Sequence, residues 1–469
     1  MTRMHPAMSR LYAHIRSFGC QMNKLDTAMV SAALSEAGME LTERASQADL
    51  VIINTCSVRD HAEQRVWSHL GHLQHIKRSR PGMVVAVIGC MAQRLGTALL
   101  EHPAVDVVCG PMHLPRLVQM CLKAIQDKSK MAAITTSWRA DADTLDQLEV
   151  SNPAMESPGQ AYVRVMRGCN RSCAYCIVPF VRGPEHSRAP QAVLEQVRIL
   201  ADRGARQVTL LGQTVNAYRY RLGERTVFLA DLLEMVGRIE GIEWIKFVTS
   251  YPMEHQFEPI LQQMATNPKV CPYLHLPAQS GSDRILAAMN RRYTASQYLR
   301  MIEKAKAVVP GIAIAGDFIV GFPGETDEDF QQTLDLVHEV GYKNCFVFRY
   351  SPRPGTPAYR LGDPVPDHIK ASRNAALLAA QQQISERIAN GFVGRTVKVL
   401  VEGPSKRSDR FQQVEDLQQL VGRTDTDWPV VFAGPMQLAG QFVHVRIAKA
   451  SPFTLFGDIY DPKPDFLGN

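Results

Sequence analysis

No stretch of the 469-residue chain approaches the roughly 20 consecutive apolar residues that cross a membrane. The opening residues MTRMHPAMSR lack the apolar run of a secretory signal. The sequence therefore reads as that of a soluble, cytoplasmic protein with no membrane partner. A strong excess of one charge is also missing. Lys+Arg total 52 and Asp+Glu 46, a formal net charge of +6. That mild basicity is compatible with an anionic partner such as nucleic acid but does not diagnose one. With no export signal, disulfides are not expected among the ten cysteines. Such cysteines are metal ligands, nucleophiles or small core residues.

What is present is alternation. LYAHIRSFG, ADLVIINT, MVVAVIG and VDVVCG are strand-like runs, with helical patterns near 24–38, 60–79 and 113–125. This βα repeat predicts a doubly wound parallel sheet over 9–127. Residues 128–154 have the polar, Pro-containing composition of a linker. A second series follows over 155–390. Six strand candidates, AYVRVMRG, QVTLLGQ, WIKFVTS, PYLHLPA, IAIAGDFIVG and NCFVFRYS, alternate with helical segments. They predict a partial (β/α)6 barrel, closed by a helix near 367–390. From 391 to 461, TVKVLVEG, WPVVFAG and QFVHVRIAKA predict a small antiparallel β-barrel.

RGCNRSCAYC places Cys169, Cys173 and Cys176 within eight residues, spaced C-x3-C-x2-C. Thiolates are soft ligands for iron–sulfur clusters or zinc. A structural zinc site takes four ligands, usually in two pairs, and no fourth Cys or His completes a pair here; His186 is ten residues on. Three thiolates would leave one iron of a cubane cluster open to chelate a substrate. The loop follows a predicted strand, at the carboxyl end where α/β barrels keep their sites. A zinc knuckle or clustered core thiols are the alternatives.

Cys20, Cys56 and Cys90 are separated by 36 and 34 residues, yet each falls at or just past the end of a predicted parallel strand. In a doubly wound sheet those ends share one edge, where ligands bind. Three thiols can converge there without a local motif; burial as core cysteines is the alternative. Cys109, Cys121, Cys271 and Cys345 read as core thiols.

C-x3-C-x2-C, with Tyr175 before the last cysteine, resembles the radical S-adenosylmethionine signature. SFGCQMNKLD, NTCSVRDHAEQRV and IGCMAQR resemble the three cysteine motifs of the radical S-adenosylmethionine methylthiotransferase family, a likeness that extends over about residues 11–460. The resemblance implies two [4Fe-4S] clusters: a radical-generating one on Cys169, Cys173 and Cys176, and an auxiliary one on Cys20, Cys56 and Cys90. It implies S-adenosylmethionine as both radical source and methyl donor. LLGQTVNAY, with Gly212 and Gln213, is similar to the family's motif beside the methionine part. HLPAQSGSDRILAAMNRRYT resembles a family block whose Gln279, Ser280 and Ser282 are expected to hydrogen-bond cofactor or substrate. DFIVGFPGETDEDF, with Asp317, Gly321 and Phe322, resembles the turn lining the adenosine part, and Glu325 would help fix that turn. Read without the resemblance, His275 is a satisfied core histidine, and Arg188, Arg284, Arg291 and Arg292 are solvated surface charge.

VEGPSKRSDR, VGRTD and FVHVRIAKASPFTLFGDI resemble the TRAM domain, which implies RNA binding. From residue 391 onward there are nine Lys+Arg and nine Asp+Glu. An RNA grip must therefore come from local patches: Lys406, Arg407 and Arg410, or Arg423, Arg446 and Lys449. The wording GCQMN and NTCSVR points to the tRNA-modifying branch. It implies methylthiolation at C2 of an isopentenylated adenosine beside the tRNA anticodon. An unpaired, extrudable base suits such a site. A flavodoxin- or ferredoxin-type reductant is implied as a partner, and the chain is expected to act as a monomer. The rival readings are a sibling enzyme acting on threonylcarbamoyladenosine in tRNA or on a ribosomal-protein aspartate, a redox-sensing iron–sulfur RNA-binding protein, and a zinc-binding scaffold.

Overall fold

The computed structural model describes residues 10–57, 60–135, 138, 142–151, 153, 155–406 and 417–460. The chain forms two compact units. The first comprises residues up to 156 with 167–170 and 177–186; the second comprises 157–166, 171–176 and all that follows 186.

The first unit is built on a six-stranded parallel sheet. In spatial order its strands are Glu40–Leu41, Tyr12–Ser17, Leu50–Thr55, Val84–Gly89, Val107–Cys109 and Met131–Ala133. Leu50–Thr55 and Val84–Gly89 are buried at every position. That is why they read as unbroken apolar runs: a covered parallel strand has no solvent face. Helices Gln21–Glu36, Asp60–Ser79 and Leu114–Asp127 occupy the crossovers. After Tyr12–Ser17 the chain crosses to Glu40–Leu41 on one side, then returns to Leu50–Thr55 on the other. The winding reverses there, and a crevice opens at the carboxyl ends of the two flanking strands.

The expected doubly wound sheet is therefore present, with two additions. Glu40–Leu41 and Met131–Ala133 extend its edges. The segment expected to be a linker carries the latter strand and the helix Ala142–Ser151. A three-residue edge strand is too short to show alternation, and the helix has few apolar positions, so the composition reads as polar.

In the second unit, six parallel strands follow one another in an open partial barrel: Gln160–Arg164, Gln207–Leu211, Trp244–Val248, Tyr273–His275, Ala313–Val320 and Asn344–Arg349. The first three form one ladder and the last three another. Around Ile245 the two are stitched together: its N–H donates to the Lys269 carbonyl at 2.7 Å, and its carbonyl accepts from Cys271 N–H at 2.9 Å. Helices Pro190–Asp202, Leu229–Gly237, Phe257–Thr266, Ala295–Val308, Asp327–Val340 and Asp367–Asn390 alternate with and follow the strands, as the periodicity predicts. An unexpected hairpin, Arg219–Leu222 with Arg225–Phe228, interrupts the series.

The C-terminal strands Thr396–Pro404, Gln418–Arg423, Pro429–Gly434, Thr454–Ile459 and Phe442–Ser451 close into a barrel in that order. It packs at the amino ends of the parallel strands, where Trp244 meets Phe442 at 4.6 Å between ring centroids. Asp427 is the polar centre of this junction. Its carboxylate accepts from Lys246 at 3.0 Å and from Arg423 at 3.2 Å, and its carbonyl accepts from Lys343 at 2.8 Å.

Candidate iron–sulfur and cofactor sites

Cys20, Cys56 and Cys90 follow three adjacent strands of the first unit: Tyr12–Ser17, Leu50–Thr55 and Val84–Gly89. Cys20 and Cys56 flank the point where the winding reverses. Cys20 precedes the helix Gln21–Glu36 and donates through its thiol to Asn23 Oδ1 at 3.2 Å. Asn23 is fully buried. Its amide donates to Asn54 Oδ1 and to the Thr55 carbonyl, both at 2.8 Å, and the Asn54 amide donates back to the Asn23 carbonyl at 2.8 Å. This reciprocal clamp ties the turn after Cys20 to the strand ending just before Cys56.

Two glycines allow the close approach. A Cβ on Gly19 would lie 2.9 Å from Cys56 Cβ. Gly89 has φ +93°, and a Cβ there would lie 2.5 Å from the Thr55 carbonyl oxygen. The wording FGC and IGC thus has a steric cause.

The thiols are electrostatically coupled. A hydrogen bond from Cys56 and the Arg182 charge outweigh burial and bring the Cys20 thiol down to about 6. Burial pushes the Cys90 thiol up, with Arg182 opposing it. Arg182, at the end of the helix Val178–Arg182, is 5% exposed. It donates through Nε to Cys90 Sγ at 3.2 Å and through Nη2 to buried Asp26 at 2.9 Å. Sequence reasoning missed both Arg182 and Asp26. An arginine six residues past Cys176 gives no local sign that it serves Cys90.

In the second unit, Cys173 accepts from Arg291 Nη1 at 3.3 Å. Arg291 departs from the surface-charge reading. Its guanidinium lies 4.2 Å from the Tyr251 ring centroid, donates to Tyr293 Oη at 2.9 Å and reaches the Pro277 carbonyl at 3.2 Å. The Cys176 N–H donates to the Cys173 carbonyl at 3.1 Å, and the Ala174 N–H to the Met289 carbonyl at 2.9 Å. Asn290 donates to the Ser172 carbonyl at 2.7 Å. One function of the HLPAQSGSDRILAAMNRRYT block is therefore to fix the cysteine loop. Cys169 belongs to the first unit, where its N–H donates to the Gly183 carbonyl at 3.0 Å.

The remaining site residues divide. Gln213 lies past the end of Gln207–Leu211 with Oε1 buried and unpartnered. A side chain on neighbouring Gly212 would collide with Met166. Asp317 is half-buried and accepts from His275 Nε2 at 3.2 Å, while His275 Nδ1 accepts from Thr249 N–H at 3.2 Å. This is the satisfied core histidine expected. Burial raises the Tyr175 phenol well above its ordinary value, with Arg291 opposing it.

Ser280 and Ser282 have their hydroxyls engaged within the fold. Ser280 meets Thr333 at 3.3 Å, while Ser282 donates to Asp329 at 2.6 Å and caps the helix Asp283–Ala288. Gln279, at φ +72°, exchanges backbone hydrogen bonds with the strand containing Asp317. The Gly321 N–H donates to Glu325 at 2.6 Å, and Arg373 holds Glu325 at 2.7 Å. Phe322 is fully buried against Tyr350, so it is packing within the turn.

One more arginine departs from the surface-charge reading: Arg188 is fully buried on the Arg164 carbonyl and Gln196. Arg284 is exposed, as expected, and pairs with Asp329. Arg292 is exposed, as expected. Lys406, Arg446 and Lys449 are exposed as well. Arg423 is committed to Glu402 and Asp427 and is not a free RNA contact. Arg407 and Arg410 lie outside the described residues.

The donor chemistry fits iron–sulfur clusters. None of the ten cysteines, all of them among the described residues, is joined in a disulfide. Each site carries soft sulfur donors with a buried guanidinium beside one of them, which offsets the negative charge of thiolate ligation. Among the described residues no three His, Cys, Asp or Glu side chains already close around one metal ion. Thiols spread along three strand ends suit a multi-iron cluster better than zinc, which gathers four ligands about one centre.

Comparison with known proteins agrees. Residues 163–337 match the Radical SAM superfamily, 12–110 the Uncharacterized protein family UPF0004, and 391–460 the TRAM domain. The tRNA-2-methylthio-N(6)-dimethylallyladenosine synthase of Rhodopirellula baltica is 42% identical over 457 residues, covering 95% of each chain. That of Ralstonia pickettii is 43% identical over 461 residues, covering 96% of this chain and 98% of the relative.

The chain belongs to the tRNA-2-methylthio-N(6)-dimethylallyladenosine synthase family.

Among solved structures, the radical S-adenosylmethionine methyltransferase TsrM from Kitasatospora setae, with cobalamin and [4Fe-4S] cluster bound, aligns at a TM-score of 0.55 and 17% identity, covering 75% of this chain and 77% of that one. That likeness is one of fold. This chain carries a radical-SAM match over 163–337 and, over 12–110, the sheet domain with Cys20, Cys56 and Cys90. No helix among the described residues is long and apolar enough to cross a membrane.

Proposed function

We propose that this protein is a tRNA methylthiotransferase. It places a methylthio group on C2 of N6-isopentenyladenosine beside the anticodon, yielding 2-methylthio-N6-isopentenyladenosine. The observation that carries the reading is the set of three cysteines at adjacent strand ends, Cys20, Cys56 and Cys90, in a chain that also has the Cys169–Cys173–Cys176 loop. One triplet accounts for making a radical; a second accounts for delivering sulfur.

Cys169, Cys173 and Cys176 would hold one [4Fe-4S] cluster, and Cys20, Cys56 and Cys90 the other. Bound together, the two clusters and S-adenosylmethionine supply reductive C–S cleavage, a methyl group and the sulfur to be inserted. The protein's own part is positioning and charge. Arg291 holds Cys173 and is itself locked by Tyr251 and Tyr293, so the loop geometry is fixed before cofactor arrives. Arg182 does the same for Cys90. The unpartnered Gln213 Oε1 is an acceptor suited to an ammonium or hydroxyl of S-adenosylmethionine. Asp317, fixed by His275, offers a second carboxylate oxygen to a ribose hydroxyl. The exposed Lys406, Arg446 and Lys449 would contact RNA phosphates. Residues 9–127 would thus serve sulfur transfer, 155–390 the radical step and 391–461 RNA binding. We further assign a flavodoxin- or ferredoxin-type electron donor, a cytoplasmic location and a monomeric working state.

The test is nucleoside mass spectrometry of tRNA from a deletion strain, with and without the gene restored. Loss and recovery of 2-methylthio-N6-isopentenyladenosine is expected. An unchanged amount in the deletion strain would overturn the proposal.

A further inference from the structure

We propose that a pocket in the first unit is a phosphate-binding site that takes a phosphodiester of the bound RNA. The pocket, of about 760 Å³, opens where the strand Tyr12–Ser17 ends beside the helix Asp60–Ser79. Arg16, Phe18, Arg65, Ser68, His69 and His72 supply its chemistry. Among the described residues no carboxylate lines it. Among the described residues neither arginine has an acidic partner there, and the Phe18 ring lies 5.4 Å from the Arg16 guanidinium carbon.

The histidines point the same way. His69 lies edge-on to Phe18 at 5.8 Å and 6.2 Å from His72. Its Nε2 is buried and has no hydrogen-bond partner among the described residues. Burial first, then the Arg16 charge and the neighbouring imidazoles, bring it down to about 4. The imidazole is therefore neutral at physiological pH, with one N–H to donate, inside a field of unbalanced positive charge. An anion supplies what the pocket lacks.

The shape selects a chain over an enclosed small molecule. Arg16, Arg65, Ser68 and His72 are exposed along one side, so a strand can lie across them with a phosphate directed toward His69. Arginine forks bind phosphate in pairs of hydrogen bonds, and an aromatic ring beside them can stack a neighbouring base. Cys20 lies three residues beyond Ser17. A phosphodiester here would therefore anchor RNA close to the thiols assigned to sulfur transfer. This inference rests on the tRNA reading above and adds an RNA contact outside the C-terminal barrel.

The experiment measures anisotropy of a fluorescein-labelled anticodon stem-loop RNA titrated with anaerobic holoprotein across a salt series. The variants are R16A/R65A, the charge-reversed R65E, and the charge-matched control R198A/R300A, which removes two exposed arginines from helices of the second unit. The pocket double variant should bind about tenfold more weakly, and its salt slope should fall by about two, one per lost phosphate contact. R65E should move the same way and the control by less than about twofold. Calorimetric titration with inorganic phosphate and with AMP distinguishes the source of the anion, and both should bind far more weakly than the RNA. Unchanged RNA affinity in R16A/R65A and R65E would overturn the site and leave the tRNA reading standing. Tight phosphate or AMP binding with unchanged RNA affinity would make it a small-anion pocket and overturn it as stated. Failure of the wild-type protein to bind the stem-loop would overturn both.

Discussion

Arg182 Nε stands 3.2 Å from Cys90 Sγ while its Nη2 grips Asp26 at 2.9 Å, with both charged groups buried. Asp26 lies within the helix that Cys20 caps, so one guanidinium links two of the three thiol-bearing segments. Truncating it removes the Arg182 charge from beside a buried carboxylate, at a cost of about 3–5 kcal/mol. R182A should lower the urea midpoint accordingly and lose the auxiliary cluster's share of iron, about half the total. R182K keeps the charge without the fork and should fall between. Equal iron and equal midpoint in R182A would remove Arg182 from any role at the site.

Arg291 gives a separable prediction. It contacts Cys173 and two tyrosines, all within the second unit. R291M should slow 5′-deoxyadenosine release from S-adenosylmethionine by about tenfold or more, since loop misplacement is costly at a reacting centre. Iron that survives a C169A/C173A/C176A replacement should be unaffected by adding R291M. A wild-type rate in R291M would leave Arg291 with packing alone.

The Asp427 junction sets a pH dependence. Lys246, Arg423 and Lys343 hold the Asp427 carboxyl down to about 2, against an ordinary value of 3.8. Its stabilisation is complete above pH 3.8 and is lost as the pH falls toward 2. Lys343 is shifted the other way for a cation: burial brings it down to about 8 from 10.5. Between those values the unfolded chain holds the proton and the folded one does not, so stability rises with pH across that window. Chemical denaturation at stepped pH should show both limbs. Asp427 sits at φ +66°, which Asn tolerates. D427N should therefore abolish the acid limb without backbone strain, while costing about 3–5 kcal/mol at neutral pH, because buried Lys246 and Lys343 lose the Asp427 charge and Arg423 keeps only Glu402. Retention of the acid limb in D427N would assign it to other carboxylates.

The architecture was legible in the sequence because buried parallel strands write themselves as apolar runs. Leu50–Thr55 and Val84–Gly89 are examples. The cysteines were legible because strand ends in such a sheet share an edge. The groups that hold those cysteines were not. Arg182 acts across 92 residues on Cys90, and Arg291 across 118 on Cys173. A charged residue in a polar stretch looks solvated until its partner is known, which is why Arg188 and Arg291 read as surface charge. Ser280 and Ser282 show the opposite limit of sequence reading. Their hydroxyls invite a ligand in the sequence, but local capping and Thr333 take them up.

Gly89 offers the sharpest test of the strand-end geometry. It combines φ +93° with a Cβ position 2.5 Å from the Thr55 carbonyl oxygen, and it immediately precedes Cys90. G89A imposes a conformation that L-residues avoid and drives a methyl into backbone that cannot swing aside. The combined cost should be about 2–4 kcal/mol. Gly204 is the control: at φ +92° it carries similar torsional strain, but nothing lies within 4 Å of its Cβ position. G204A should therefore cost only about 1 kcal/mol. Urea unfolding of the two variants measures the difference. Iron and sulfide analysis should show G89A losing the auxiliary cluster while the Cys169–Cys173–Cys176 share persists. Equal destabilisation by the two substitutions, with full iron in both, would mean that the Thr55 contact does not constrain Cys90.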